Sequence, residues 1–380
     1  MKKYLDVNKQ RKIKNKILTK KYLSIFVLFL SFFLIMFAVW QLSLKDVFFG
    51  KNSENFPILF SGDSVLGFEK TKNGFCILTN NQFSFYNKNG IVSKNITNRN
   101  SKTKINVCQD NVLIYEKSAK NYSVQTDKKL KFFGNLEQNI IFGKIFKNGS
   151  FAFVTSSEKY FCEFVVFNNK NKQIFSWSCA QSLIVDFDVF DDGNGCVIAT
   201  TGVQEGFSKA TIHSLKFSND KEKLKKDFEK FVPFSVKKIG SNIILVCDSK
   251  VFFINERGRI LKSYSYLSDL KNYVITDDGF FIVCFNALEN SKFSDIIMCY
   301  DRSGNLVSQT SLEENVILIK AFSSKVVVLT DSSIILTNEK LKFLKKAENC
   351  DNVEDFIYLH PYIYFVSTNK IDRVKLNSKE

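Results

Sequence analysis

One hairpin pattern, repeated four times along the chain, constrains the fold more than any other feature of the sequence. Each copy is an apolar run, a short turn and a second, half-apolar run: FFINERGRILKS at 252–263, FYNKNGIVSK at 85–94, MCYDRSGNLVSQ at 298–309 and ILTNEKLKFLK at 335–345. Repetition at intervals of tens of residues is typical of folds that arrange one supersecondary unit many times. The sequence therefore predicts a repeat protein.

The period of the repeat indicates what the unit is. In each copy the most apolar run ends in a small polar residue or cysteine, with a tyrosine in the second copy; these positions are Thr79, Tyr115, Thr155, Thr200, Cys247, Cys284, Thr330 and Ser367. Their spacings of 36 to 47 residues match a four-stranded propeller blade of about 40 to 45 residues. Apolar residues alternate with a period of two, and amphipathic helical windows are lacking. We therefore expect an all-β propeller.

Turn chemistry and the number of units predict eight blades. With the strands of each unit labelled a to d, Asn-Gly or Asp-Gly pairs fall in the predicted a–b turns at 72–74, 147–149, 191–193 and 277–279. Such pairs accept the positive φ of a tight hairpin. The propeller should cover residues 56–376. Because the eighth unit ends after its c-strand, residues 56–62 should supply the missing d-strand and close the ring. Seven blades are the alternative if the unit at 103–132 is irregular.

An uncharged run near the start predicts a transmembrane helix. Residues 22–44, YLSIFVLFLSFFLIMFAVWQLSL, hold no charge, and about 20 residues suffice to span a bilayer. Residues 1–21 carry nine Lys or Arg and one acid, which predicts an uncleaved anchor with a cytoplasmic tail that contacts anionic lipid. After a linker at 45–55, the propeller and a short tail at 377–380 should be extracellular. The expected location is the cell membrane, with a single pass.

Charge and cysteine usage narrow the classes of partner. The net charge is +16, and residues 1–21 supply +8 of it, nine basic residues minus one acid. The remainder shows no basic face interleaved with aromatic residues, so no nucleic-acid partner is expected. Nine cysteines occur without a CxxC pair. Cys247 and Cys284 stand where other units place Thr or Ser, so they should be buried packing residues rather than disulfide partners or zinc ligands.

No constellation of residues predicts catalysis or metal binding. The acidic stretch DFDVFDDGNG at 186–195 lacks the ligand spacing of a calcium loop and is better explained as an a–b turn. The two histidines are His213, in a predicted c-strand, and His360, which precedes Pro361 in a turn. A nucleophile elbow is also lacking. We predict a protein that is not an enzyme, with no catalytic, metal or cofactor-binding residues and no cofactor.

Three runs resemble a known family: FPILFSGDSVLGFEKTKNGFCILTNNQFSFYNKNGIVSKNIT at 56–97, SSEKYFCEFVVFNNKNKQIFSWS at 156–178 and GVQEGFSKATIHSL at 202–215. They are similar to domain of unknown function 5711, membrane-anchored propeller proteins of low-GC Gram-positive bacteria. The resemblance spans roughly residues 20–376 and implies fold and topology but no activity. More distantly, the turn at 301–304, with its D-x-x-G pattern, resembles eight-bladed pyrroloquinoline-quinone-type propellers. The repeated Trp of that class is reduced to Trp177 and no cofactor ligands match, so quinone binding is not expected.

A protein-binding or scaffold module at the cell envelope is the predicted function. In a propeller the a–b and c–d turns emerge on one face and the b–c and d–a connections on the other, which we call the second face. The longer connections, among them 156–160, 201–209 and 286–294, belong to the second face, and irregular loops on a rigid scaffold often bind partners. The predicted partner-binding residues are Glu205, Phe207, Glu289 and Phe293. The alternatives are an extracytoplasmic hydrolase or lyase with a site in the propeller channel, or a ligand sensor.

Overall fold

The structure is a computed structural model that describes residues 55–60, 64–287, 291–348, 352–368 and 370–375. Residues from Asn55 onward form one compact unit. Within the described residues, no helix has the length and apolar character needed to cross a membrane. The predicted span at 22–44 lies outside the described part of the chain.

All regular structure in the described residues is β-strand, arranged as eight four-stranded sheets. A short strand, β1 (Ile58–Leu59), comes first and belongs to the last sheet. The strands of blades one to four are β2 (Val65–Lys70), β3 (Gly74–Thr79), β4 (Gln82–Asn87), β5 (Val92–Thr97); β6 (Thr103–Cys108), β7 (Asn111–Glu116), β8 (Asn121–Gln125), β9 (Leu130–Asn135); β10 (Ile140–Ile145), β11 (Phe151–Thr155), β12 (Cys162–Phe167), β13 (Gln173–Cys179); β14 (Leu183–Val189), β15 (Gly195–Gln204), β16 (Phe207–Lys216) and β17 (Asn219–Glu229). Those of blades five to eight are β18 (Pro233–Ile239), β19 (Asn242–Cys247), β20 (Lys250–Asn255), β21 (Ile260–Ser265); β22 (Leu270–Ile275), β23 (Phe281–Asn286), β24 (Asp295–Tyr300), β25 (Leu306–Leu312); β26 (Val316–Phe322), β27 (Lys325–Thr330), β28 (Ser333–Asn338), β29 (Phe343–Glu348); β30 (Val353–Leu359), β31 (Tyr362–Ser367) and β32 (Lys370–Lys375).

The ring closes through its first strand, as the sequence predicts. The eighth sheet runs β1-β32-β31-β30, with Ile58 opposite Ile371 and Leu59 opposite Lys370. The second unit, β6 to β9, forms a regular four-stranded sheet. Eight blades are therefore confirmed, and the seven-bladed alternative is wrong.

Glycine makes the hairpins possible in two different ways. Gly149, Gly193 and Gly279 in the a–b turns have φ of 79°, 71° and 91°, as predicted for tight turns. Gly74 differs, because it lies at the start of β3 rather than in a turn. A Cβ there would lie 2.0 Å from the carbonyl oxygen of Tyr86 on β4. The close approach of the neighbouring backbone, and not a positive φ, therefore requires this glycine.

Apolar side chains fill the spaces between neighbouring blades. The b-strands are buried along nearly their whole length, and every residue of β3 is buried. Cys247 belongs to a cluster shared by blades four and five, and Cys284 to one shared by blades six and seven. Both cysteines are fully buried, which confirms their packing role.

The small polar position that ends the b-strands has a structural cause. Thr79 Oγ1 accepts hydrogen bonds from the backbone amides of Asn81 and Gln82, at 3.3 and 3.1 Å. Thr330 Oγ1 accepts in the same way from Ser333, at 2.9 Å. These residues cap the b–c turn that follows, because the first amides of the turn lack partners in the sheet. At Thr79 and Thr330 the periodic signal in the sequence thus corresponds to turn capping.

Candidate functional site

The segment 201–209 forms the end of a long hairpin rather than the irregular loop predicted from the sequence. Strands β15 and β16 continue to Gln204 and Phe207, which lie opposite each other. Glu205 and Gly206 form the turn, with φ of 53° and 82°, as in a two-residue hairpin turn with both central residues left-handed. The prediction of an irregular loop is wrong, because β15 and β16 stay hydrogen-bonded to each other through Gln204 and Phe207 and are longer than most blade strands.

The predicted partner-binding residues occupy different blades of the second face. Phe207 is 55% exposed, and the Lys230 ammonium lies 4.7 Å from the centre of its ring. Phe293 is half-buried in the b–c loop of blade six, with the Lys292 ammonium at 4.8 Å from its ring. Glu289 lies outside the described residues. Blade five separates the hairpin tip of Glu205 and Phe207 from the loop of Phe293.

Seven exposed apolar side chains lie on the second face, distributed over blades three to six. They come from b–c loops, the hairpin tip, the first residues of a-strands and a d–a link: Tyr160, Phe161, Leu183, Val203, Phe207, Phe234 and Leu267. We call this set the second-face patch. Within it Val203 is 77% and Phe161 58% exposed. Sequence reasoning identified only Phe207 among them, although the aromatic pair Tyr160–Phe161 in a predicted loop was a usable signal.

Polar side chains join neighbouring a-strands around the central channel. Backbone amides on the edge of one a-strand are satisfied by carboxylates or amides from the preceding blade. Asp186 Oδ2 accepts from the Val236 amide and Asp188 Oδ2 from the Lys238 amide, both at 3.0 Å. Asn106 Oδ1 accepts from the Ile145 amide at 2.8 Å, and Asn272 Oδ1 from the Ile319 amide at 3.3 Å. An innermost strand is a sheet edge, so these bonds remove donors that would otherwise lack partners.

A cavity of about 500 Å³ opens beside these bonds, between the a-strands of blades two to six. Five of its charged side chains form ion pairs: Lys144 contacts Asp186, and Asp277 contacts Lys147 at 3.1 Å and Lys237 at 3.3 Å. Asp277 links blade six to blades three and five, so the ion pairs reach around the channel. Most of the charged side chains that line the cavity therefore already bind one another or the backbone.

One carboxylic acid in the cavity has a perturbed acidity. Burial raises the pKa of Asp188 to about 6, and the hydrogen bond from the Lys238 amide and the positive charge of Lys144 offset only part of this effect. A perturbed carboxyl in a cavity is a general indicator of function. Here it has a structural explanation, since Asp188 joins two blades.

Blade four contains a hydroxyl, an imidazole and a carboxylate in hydrogen-bonding order. Thr200 Oγ1 lies 3.1 Å from His213 Nε2, and His213 Nδ1 contacts Glu222 Oε1. Burial lowers the pKa of His213, and Glu222 opposes that shift. The order matches a nucleophile with its base and orienting acid, but Thr200 is fully buried in β15. The arrangement therefore satisfies buried polar groups and offers no accessible nucleophile.

The described residues hold no group of three or more His, Cys, Asp or Glu side chains that could bind a metal ion. Their eight cysteines are free thiols. Cys350 lies outside the described part of the chain.

The ring, the closing strand and the radial sheets define the class of this protein as a closed eight-bladed β-propeller. The chain belongs to the family of unknown function DUF5711, whose family model matches residues 59–376. This confirms the family that the sequence resembles. No curated protein matches it in sequence.

Solved structures that are similar to this chain share its fold at low identity. BamB from Moraxella catarrhalis is 9% identical, with 82% of this chain and 98% of that chain covered and a TM-score of 0.52. A eukaryotic initiation factor is 12% identical, with coverage of 83% and 89% and a TM-score of 0.54. The Dos1 propeller is 10% identical, with coverage of 70% and 75% and a TM-score of 0.52. These likenesses establish the propeller architecture alone.

Proposed function

We propose that this protein is a protein-binding scaffold, anchored in the cell membrane by residues 22–44, with its propeller outside the cell and a protein partner docked on the second face. The observation that carries the proposal is the second-face patch, which brings seven exposed apolar side chains onto one face of a closed ring. The uncharged run and the basic tail before it support the anchor and its orientation.

The second-face patch has the composition of a protein interface. Aromatic side chains contribute most to binding energy in such interfaces, and Tyr160, Phe161, Phe207 and Phe234 are exposed here. The density of large exposed apolar side chains on one face supports a surface that contacts another protein. Blade-to-blade hydrogen bonds and the paired first and last strands hold the loops in fixed positions, which lowers the entropy lost on binding.

The proposal assigns no catalytic step to the chain. A hydrolase or lyase in the channel would need an accessible nucleophile or a free acid–base pair. The Asp186, Asp188 and Asp277 carboxylates around the cavity are all held by amides or lysines. Thr200, which has a histidine beside it, is fully buried. These observations support a binding role.

In-cell crosslinking of the propeller to its neighbours tests the proposal. The triple change Val203→Ser, Phe207→Ser and Phe293→Ser should reduce crosslinked partners at least fivefold, because it removes apolar surface from the second face. The matched control is Phe133→Ser, which alters a side chain that is 64% exposed on the outermost strand of blade two. Both proteins should keep the melting temperature of the unaltered chain. A crosslinking pattern that survives the triple change would reject the second face as the docking surface.

A further inference from the structure

The outermost strands begin with exposed apolar residues in blade after blade. These residues lie directly after the c–d turns, at the outer edge of the face opposite the second face. They are Ile91, Val92, Leu130, Ile174, Ile260, Leu261, Leu306, Val307, Phe343 and Leu344, each between 37% and 58% exposed. Six of the eight blades contribute to this set. Together with the seven described c–d turns they form a belt that we call the c–d rim.

The c–d rim is strongly basic. Its turns, at 88–91, 126–129, 168–172, 217–218, 256–259, 301–305 and 339–342, contain ten Lys or Arg and four acids, a net charge of +6. All ten basic residues are exposed, whereas three of the four acids are half-buried. One of these acids, Asp301, accepts hydrogen bonds from Ser303 and Asn305 within its own turn.

Other connections do not share this charge. The described connections of the second face contain seven basic and eight acidic residues, a net charge of −1. The a–b turns, which lie nearer the axis on the same face as the c–d rim, contain two basic and five acidic residues, a net charge of −3. Among the described connections, a net positive charge therefore occurs only along the outer circumference of one face, where the exposed aliphatic side chains also lie.

The chain enters the propeller at the c–d rim. Asn55 Nδ2 donates to the carbonyl oxygen of Asn89 at 3.2 Å, and the ring of Phe56 packs against Gly90 in the same c–d turn. Only residues 45–54 separate this point from the apolar run at 22–44. Ten extended residues span at most about 36 Å. A chain segment of this length can connect a bilayer-spanning segment to the c–d rim.

We propose that the c–d rim rests on the surface of an anionic phospholipid bilayer. Exposed aliphatic side chains enter the boundary between headgroups and acyl chains, and exposed Lys and Arg are attracted to anionic headgroups. A bilayer surface is flat, so it can meet residues from six blades at once, whereas a compact acidic protein would cover only part of the belt. This orientation rests on the membrane anchor that is part of the proposed function. With the c–d rim on the bilayer, the second face points away from the membrane.

Photolabelling of the full chain in vesicles tests the proposal. The protein is reconstituted in vesicles of phosphatidylcholine and phosphatidylglycerol that contain a lipid with a photoreactive group on its acyl chain. Labelled peptides are then mapped by mass spectrometry. Peptides with Ile260–Leu261 and Leu306–Val307 should carry at least tenfold more label than those with Val203 and Leu267. Equal labelling of both faces, or excess label on the second face, overturns the proposal.

Controls separate the rim from the anchor and from the partner-binding surface. Replacing Ile260, Leu261, Leu306 and Val307 by serine should reduce rim labelling severalfold, while Val203→Ser with Phe207→Ser leaves it unchanged. Vesicles of phosphatidylcholine alone, or 0.5 M salt, should also lower the labelling, because salt screens exposed charges. Rim labelling that changes neither with the lipid composition nor with the salt concentration would overturn the assignment to anionic lipid. Extraction of the chain from the vesicles by alkaline carbonate would refute the membrane anchor itself. If the rim crosslinks to an acidic protein instead of lipid, that protein and not the bilayer is the partner of the rim.

Discussion

Serine in place of Ile58 should destabilise the ring, whereas serine in place of the adjacent Leu59 should not. Both residues form β1, the strand that completes blade eight. Alternate residues of this segment, Phe56, Ile58 and Phe60, pack against the core between blades one and eight. Leu59 points outward and is 72% exposed. The two substitutions therefore differ only in whether the lost side chain closes the ring.

The expected magnitude follows from burial. Complete burial of an isoleucine side chain contributes about 1.5–3 kcal/mol, so half-buried Ile58 should contribute about 1 kcal/mol, and a serine hydroxyl at the core edge raises the total to about 1–2 kcal/mol. Unfolding entropy near 2.1 cal/mol/K per residue gives roughly 0.7 kcal/mol/K for a propeller of this size. Ile58→Ser should then lower the melting temperature by about 1.5–3 °C, and Leu59→Ser by less than about 1 °C.

Removal of the whole closing strand should have a larger effect. A chain that begins at Ser64 loses three half-buried side chains and the contact of the Arg373 guanidinium with the Phe56 ring at 4.6 Å, about 3–5 kcal/mol in total. Differential scanning calorimetry should show a melting temperature about 4–8 °C below that of a chain that begins at Asn55. Equal melting temperatures for these two chains, or for the Ile58 and Leu59 variants, would refute closure by β1.

Topology, thiol state and acid stability give three further tests. Protease added to wall-stripped cells should digest the propeller and leave a short protected tail; protection of the whole chain would contradict an extracellular propeller. Alkylation of the denatured, unreduced protein should report nine free thiols, with no bridge between Cys162 and Cys179, which lie opposite each other on β12 and β13. Burial alone would raise the pKa of Glu314, but hydrogen bonds from Lys346, Ser333 and Thr330 lower it from 4.5 to about 2. Stabilisation from this depressed pKa is present above pH 4.5 and lost as the pH falls towards 2. Glu314→Gln should therefore lower the free energy of unfolding by about 1 kcal/mol at pH 6 and by almost nothing near pH 2. A destabilisation that is independent of pH would count against the ion pair.

Local chemistry made most of the propeller predictable. Apolar alternation and turn glycines are properties of single hairpins, so Gly149, Gly193 and Gly279 could be assigned to a–b turns from the sequence alone. Ring closure by residues 56–62 followed from counting strands, because a propeller cannot leave its last sheet one strand short. The periodic Thr and Cys positions gave the correct blade length, although they have different roles: Thr79 and Thr330 cap turns, whereas Cys247 and Cys284 pack in the core.

Surfaces were harder to predict, because they join residues that are distant in sequence. Phe161, Val203 and Phe234 share one face only after the ring has formed, and no local pattern marks them as neighbours. The length of the hairpin at Glu205 was missed because the pairing of β15 with β16 continues to Gln204 and Phe207, beyond the usual length of a blade strand. Glu289 lies outside the described residues, so its predicted role stays a prediction.

The pairing of β1 with β32 places a temporal constraint on how the protein is made. Ile58 and Ile371 are more than 300 residues apart, so the first strand must remain without its partner until nearly the whole chain has been synthesised. Blades one to seven are each formed from consecutive strands and can assemble as they emerge. The eighth blade cannot, and non-local contacts of this kind are slow to form. Until that moment the growing propeller is an open arc whose end blades each leave an apolar face uncovered, and β1 has no strand to pair with. The step most exposed to wrong association with other chains therefore comes last.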